Sequence, residues 1–560
     1  MKRIYWRIGT AFLATLFLMA CQKNVLDKVP LDSFSDRSVW KDLKLAEAFA
    51  DFQYTVLPNP GHYWDNLTNR TWALSSATDE AFNKFDDYNA SIMNSGSLTP
   101  DNLGNFDIWS ETYKRIQDCN LFLSKIDAVP GDDALRARLK AEIIYLRAYA
   151  YFKLISDYGG VPLVKKPFDL NSKFETPRST FDECVAFITT ECDAAAAVLP
   201  VSYSSGAAEL GRATKAAALA LKSKTLLYAA SPLWNTSNDK QKWQQASDAA
   251  KAVIDLPGYQ LYTGSYVNIF TTWNSEILMA RQGNKQYQWN AFQGVEMFMA
   301  PCGFHGWSSF APSQNLVDAF GTADGKDITD AGSGYNPQQP YANRDPRFYD
   351  DIIFDGRPYG KPDFFKDRYN AGHSNVAEMY EGGLDSQQGW DTWNASMTRY
   401  SFRKYQDTTF NFNVETQTNK FWIVSRLAEI YLNYAEAEFN LGHENVSRQY
   451  LDLLRHRAGI TNDLPGSLTG AALLAKIRNE RRVELCLEGQ RYYDVRRWKI
   501  ADVTENTPLG GVKIVKNADG SKTYTYIKVQ DRVFKSQHYL LPIPREEIRR
   551  TNLPQNPGYN

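Results

Sequence analysis

Along most of this 560-residue chain the apolar positions recur every three or four residues, the repeat of a helix with one buried face. Trp109, Tyr113, Ile116, Asn120 and Leu123 line one such face. Residues 139–158 carry a second stripe, Ile143, Leu146, Ala150 and Leu154, which Gly159, Gly160 and Pro162 bring to an end. Residues 212–230 are rich in Ala and Leu, break at Ser231-Pro232, and lead into a further helix over 242–254. The pattern predicts a first helical block from about residue 38 to 256. A second block repeats the design, with helices over 421–441, 445–458 and 470–487 and a turn at Gly442.

Within the second block Leu427, Ile430, Tyr431, Ala435 and Phe439 are spaced like the packing positions of tetratricopeptide units, with a small Ala where a partner helix comes close. The match to that repeat is partial, so these read as degenerate helix-turn-helix pairs that build a scaffold. Residues 257–420 have another composition, dense in Gly, Pro, Asn, Asp and aromatics. So long a stretch between helices predicts an irregular lobe with a function of its own. Near the end, 511–515 and 523–529 are strand-like and flank Asp519-Gly520, a hairpin signal. The expected fold is mainly α: a TPR-like helical-repeat scaffold with a large loop-rich lobe and a short β-hairpin. Its expected divisions are 1–20, 21–256, 257–420 and 421–560.

The first twenty residues form a signal peptide by pattern: Lys2, Arg3 and Arg7, then an apolar run over 8–20, too short to span a bilayer. Leu18-Met19-Ala20-Cys21 reads as a lipobox. The Cys21 thiol would take diacylglycerol, and several acyl chains at about 0.8 kcal/mol per buried CH₂ give durable anchoring. The other cysteines, Cys119, Cys184, Cys192, Cys302 and Cys486, are odd in number and lack CxxC spacing, which predicts buried free thiols.

Charge narrows the partners. The 63 Lys and Arg stand against 64 Asp and Glu, a net charge of −1, without the basic excess that phosphate binding requires. Glu480, Glu484 and Glu488, at i, i+4 and i+8, could suggest the paired carboxylates of a glycosidase. They alternate with Arg478, Arg481 and Arg482, and an ion-pair network between helices is the expected reading. The six His are scattered, and Cys302 with His305 is a lone CxxH. Asp324, Asp327 and Asp330 lack the spacing of a calcium loop. No catalytic residue, metal or cofactor is expected.

Several motifs in order along the chain resemble the SusD/RagB family of lipid-anchored glycan-binding proteins. They are Glu142-Ile-Ile-Tyr-Leu-Arg-Ala-Tyr-Ala-Tyr-Phe152 leading to Tyr158-Gly-Gly-Val-Pro-Leu163, then Arg212-Ala-Thr-Lys215 and Arg344-Asp-Pro-Arg-Phe348. Leu427-Ala-Glu-Ile-Tyr-Leu-Asn-Tyr-Ala-Glu-Ala437, Glu480-Arg-Arg-Val-Glu-Leu485, Glu488-Gly-Gln-Arg-Tyr-Tyr-Asp494, Leu541-Pro-Ile-Pro544 and Gln555-Asn-Pro-Gly-Tyr559 follow. The resemblance implies the outer membrane of Bacteroidetes, a SusC-like TonB-dependent transporter as partner, and an oligosaccharide or polysaccharide as ligand. Gln22-Lys23-Asn24 departs from the family by lacking an acidic pair linked to surface export.

Aromatics make up 14% of the chain, and those outside the helical stripes are the candidate ligand contacts, because sugar C–H faces pack on flat rings while rim amides and carboxylates take hydroxyls. One group comprises Trp64, then Asn83, Phe85, Asp86 and Tyr88 after a helix-like stretch over 77–82; a second comprises Tyr287, Trp289 and Trp307; Trp390 stands apart. Trp72, Trp109, Trp422 and Trp498 sit in helical context and are expected in the core. The expected function is a surface lipoprotein that captures glycan and delivers it to the transporter. The alternatives are a helical-repeat lipoprotein that binds peptide or protein, and a glycan-degrading all-α lipoprotein.

Overall fold

The computed structural model describes residues 39–58, 70–86, 89–168, 176–282, 295–409, 411 and 421–559. Cys21, Trp64, Tyr88, Tyr287 and Trp289 lie outside the described residues.

Helices α1 (Leu43–Gln53), α2 (Arg70–Ser76) and α3 (Trp109–Lys125) lead into α4 (Asp133–Tyr158), the longest of the described helices. Asp132 caps α4 by accepting the Leu135 N–H at 2.7 Å, and the helix stops at Gly159, whose φ of 75° disfavours any side chain. Then come α5 (Phe181–Val198), α6 (Lys215–Ala230) and α7 (Lys240–Ile254). Thr180 and Glu183 close a capping box on α5, and Thr214 and Asp239 cap the other two. The second block holds α8 (Leu427–Leu441), α9 (Glu444–Arg457), α10 (Gly470–Glu484) and α11 (Arg491–Arg497).

Each helix from α3 to α7 packs on the next, and α7 then packs on α8 although the whole loop-rich region separates them in sequence. The two blocks are therefore one helical array, and the middle region is an insertion into it. Small residues allow the close approach: Ala216, Ala220 and Ala250 meet Leu427 and Ile430, and Ala230 and Ala246 meet Ala437.

Among the described residues the strands form four antiparallel pairs: β1 (Ala81–Asn83) with β3 (Phe310–Pro312), β2 (Ile277–Gln282) with β6 (Phe421–Arg426), β4 (Ile352–Ile353) with β5 (Ser401–Phe402), and β7 (Leu509–Lys516) with β8 (Lys522–Gln530). The last pair is the expected hairpin. The β2–β6 pair is the stem of the insertion, with Ile277 opposite Arg426 where the chain leaves and rejoins the array.

Three expectations need correction. Residues 421–426 extend as β6 before α8 begins, because the aromatic and β-branched run Phe-Trp-Ile-Val finds a ladder partner in β2. Residues 77–82 are a turn entering β1 rather than a helix. α10 ends at Glu484, and the chain turns through Leu487 (φ 65°) and Gly489 (φ 72°), so Glu488 is not on its face.

The carboxylate series nonetheless joins one buried network, with partners other than the neighbouring arginines. Arg426, at the end of β6, bonds Glu276 and Glu484 at 2.7 Å each and Glu488 at 2.7 Å. Arg347 reaches Glu480 at 2.5 Å and Glu484 at 3.0 Å; Arg457 of α9 pairs with Glu276 at 2.7 Å and with Glu484; Lys404 pairs with Glu488 at 2.9 Å. This network clamps the base of the insertion to α9 and α10. The five cysteines among the described residues are buried and free, and Trp72, Trp109, Trp422 and Trp498 are all core.

Candidate functional site

The register of β1 on β3 places the loop that follows. Asn83 stands opposite Phe310, and the N–H of Lys84 donates to the Ser309 carbonyl at 2.8 Å, which carries the ladder one residue past β1. Asn83 is buried, and its Oδ1 accepts the N–H groups of Phe85 and Asp86 at 3.0 and 3.1 Å. Its amide therefore shapes the turn. Asp86 holds φ at 53° and accepts the Ser91 N–H at 2.9 Å and its hydroxyl.

That turn lays the half-buried Phe85 ring against the indole of Trp393, with centroids 5.3 Å apart and planes 24° from parallel. Trp393 is 72% exposed, the most of any large apolar side chain among the described residues. One indole face is thus backed by a ring while the other is offered to solvent. Flat pairs of this kind are rigid and costly to hydrate, which suits them to stacking on a ligand.

Trp390 lies three residues earlier in the same loop and is 45% exposed. His305 stacks near it at 6.5 Å and 20°, and His373 meets it edge-on at 6.3 Å. Each histidine is oriented by a carboxylate, His305 by Asp367 at 2.8 Å and His373 by Glu378 at 2.9 Å. Beneath them Arg368, fully buried, sits 4.0 Å over the Phe304 ring and pairs with buried Asp385 at 3.2 Å. It donates to the carbonyls of Gly303 at 3.1 Å, Ser374 at 2.7 Å and Val376 at 2.5 Å, and Asp385 accepts the Gly303 N–H at 2.8 Å. One buried cation thereby ties together the loops that carry His305 and His373.

Of the residues expected from the sequence, Phe85 lies against Trp393, Trp390 is exposed between His305 and His373, Asp86 is bonded to Ser91, and Asn83 is inside its turn. Trp307 is half-buried against the main core, with its backbone N–H donating to the Met297 carbonyl at 2.7 Å. Sequence reasoning missed Trp393. The stretch Gly389-Trp-Asp-Thr-Trp-Asn-Ala-Ser396 presents two indoles in one polar loop, and that doubling was the available signal.

The other candidate chemistries are absorbed by structure. Burial would raise the Glu484 carboxyl, yet Arg457, Arg426 and Arg347 together hold it well below the usual carboxylate range. Asp327 pairs with Lys476 at 2.7 Å, Asp324 with Lys326 at 3.1 Å, and Asp330 accepts the Asp327 N–H at 2.9 Å. Among the described residues no group of three or more His, Cys, Asp or Glu is placed to hold a metal ion.

A helical-repeat array with an aromatic loop surface on its insertion defines a scaffolded binding protein. The chain belongs to the SusD family, whose model matches residues 275–559, and a model described as starch-binding associating with outer membrane matches residues 31–227. Among curated proteins, a SusD-like protein of Formosa agariphila is 24% identical over 469 residues, covering 79% of this chain and 76% of that one. A crystal structure of a SusD-like protein from Bacteroides fragilis NCTC 9343 is similar at 30% identity with a TM-score of 0.79, covering 95% of this chain and all (100%) of that one. A SusD-like carbohydrate binding protein from the same strain shares the fold at 24% identity and TM-score 0.72, covering 92% of this chain and 99% of that one.

Proposed function

We propose that this protein is a surface lipoprotein, anchored through Cys21, that captures oligosaccharide on the Trp393–Phe85 pair and Trp390 and delivers it to a SusC-like TonB-dependent transporter. The observation that carries this reading is the indole of Trp393, backed by Phe85 and 72% exposed on the loop-rich insertion of a SusD-family chain. Exposed flat rings, one of them Trp390 with two carboxylate-oriented imidazoles beside it, are the equipment for sugar C–H faces and hydroxyls. A relative of the same fold whose name gives it as carbohydrate binding, and the outer-membrane association in the description of the second family model, support the ligand class and the location. Among the described residues no helix is long and apolar enough to cross a membrane.

The protein acts here as a binder rather than a hydrolase. Glu484, held by Arg457, Arg426 and Arg347, and Glu488, held by Arg426 and Lys404, are kept below the usual carboxylate range despite their burial, so neither has a proton to give at neutral pH. Delivery favours modest affinity, since release from nanomolar binding costs about 12 kcal/mol and from millimolar binding about 4 kcal/mol.

Affinity electrophoresis through gels containing starch, laminarin, xylan or mannan tests the site. The parent should be retarded by at least one, and Trp393→Ala should weaken that retention roughly tenfold, about 1.4 kcal/mol, at unchanged melting temperature. Unaltered retention in the Phe85→Ala, Trp393→Ala double variant would sink the assignment.

A second reading draws on a groove of about 590 Å³ between α5, α6 and α7, floored by Val185, Leu219 and Leu226 and rimmed by Asp182, Lys222 and Lys242. A peptide or protein partner could lie there. Pull-downs from outer membranes in which polysaccharide fails to compete would favour it.

A further inference from the structure

Three main-chain carbonyls of the loop that carries both exposed indoles converge on one ammonium. The Lys84 ammonium donates to the carbonyls of Trp393 at 2.5 Å, Thr392 at 3.3 Å and Ala395 at 3.3 Å. Among the described residues no backbone N–H reaches these three oxygens, so the lysine supplies the hydrogen bonds that a helix or sheet would otherwise provide. An ammonium has three donors splayed around one nitrogen, which suits three converging carbonyls, whereas the planar fork of a guanidinium does not. Lys84 is in turn fixed from below, because its own N–H continues the β1–β3 ladder onto Ser309. A slip of one residue in that register would turn its side chain to the opposite face. Its neighbour in sequence, Phe85, is the ring against which Trp393 lies.

We propose that Lys84 is the positioning residue of the ligand surface: its ammonium gathers the 392–395 carbonyls and so holds the Trp393 indole flat on Phe85, without itself touching the ligand. The proposal rests on the reading of Trp393 as a glycan contact. The geometry explains why a lysine stands at this place: its charge goes to main-chain oxygens, leaving the surface aromatic and without a free ammonium at its centre.

The test uses the full chain labelled with 5-fluorotryptophan, the Trp393 resonance being the one lost in Trp393→Phe. In Lys84→Ala this resonance should move toward its position in the unfolded chain, and retention on the polysaccharide that retards the parent should fall roughly tenfold, as in Trp393→Ala. Propylammonium, which replaces the atoms the substitution removes, should restore both, while tetramethylammonium, which has the charge but no N–H, should restore neither. Lys84→Arg should recover only part of the retention.

A Trp393 resonance unmoved in Lys84→Ala overturns the proposal. Equal rescue by tetramethylammonium also overturns it, since donation to the carbonyls would then be irrelevant. If Lys84→Ala does not fold, Lys84→Met, which keeps an apolar stem and loses the donors, carries the resonance and retention measurements. A parent that binds none of the four polysaccharides counts against the glycan reading alone, and the fluorine resonance still decides whether Lys84 positions the indole.

Discussion

Glu80 shows how far one residue can depart from its reference chemistry. It is buried beside Asp79, its Oε2 has no hydrogen-bond partner, and burial pushes its carboxyl up to about 8 despite the nearby Arg491 and Arg482. The sign follows from linkage. Below the ordinary carboxylate value both states hold the proton, and the native fold keeps its full stability. As pH rises toward 8 the unfolded chain releases a proton that the native state retains, and stability is lost. Glu80→Gln mimics the protonated form, so urea unfolding at about pH 4 should match the parent, while at about pH 9 the variant should be more stable by a few kcal/mol, each tenfold change in proton affinity being about 1.4 kcal/mol. A pH profile parallel to the parent's would refute this. Nothing in the spacing around Glu80 reveals it, because its state depends on which distant groups surround it. The tryptophans divide the same way: Trp72 and Trp109 are legible as core from helical spacing, but two indoles in one polar loop do not say which is the more exposed or what backs it.

At the scale of elements the helices were legible because their buried faces repeat within a few residues and their ends carry Asp, Thr and Gly caps. β6 was not, since a strand is defined by its ladder partner and β2 lies far upstream. The turn at 302–306 is a similar case. A Cβ on Gly303 would lie 2.6 Å from Arg368 Nη1 and 2.7 Å from Asp385 Oδ1, both buried, so this position has room only for hydrogen. Gly303→Ala should lower stability by about 1–3 kcal/mol, the range for overpacking, and weaken polysaccharide retention because His305 and Trp390 shift with the turn. Gly466→Ala, which meets nothing within 4 Å, is the matched control and should change neither. Equal melting curves for the two variants would contradict the packing account.

For the whole molecule the near balance of charge acquires a structural meaning. The buried cations Arg426, Arg347 and Arg368 are spent on internal carboxylates and carbonyls, and the proposed ligand surface is built of rings. Binding that rests on stacking should be insensitive to screening. Retention of a neutral polysaccharide should change less than about twofold between roughly 50 and 500 mM NaCl, whereas a steep fall with salt would point to an ionic site elsewhere.

The lipobox pattern, the helical repeats, the division into helical and loop-rich composition, the hairpin and the family motifs were all determined by sequence alone, because each is a pattern among residues close together in the chain. The joining of the two helical blocks into one array, the stem of β2 and β6, the exposure of Trp393 and the tether from Lys84 were decided only by tertiary structure. Burial, ion pairing and ring stacking depend on neighbours in space, and here those neighbours, Glu276 with Arg426 and Lys84 with Trp393, stand more than a hundred residues apart.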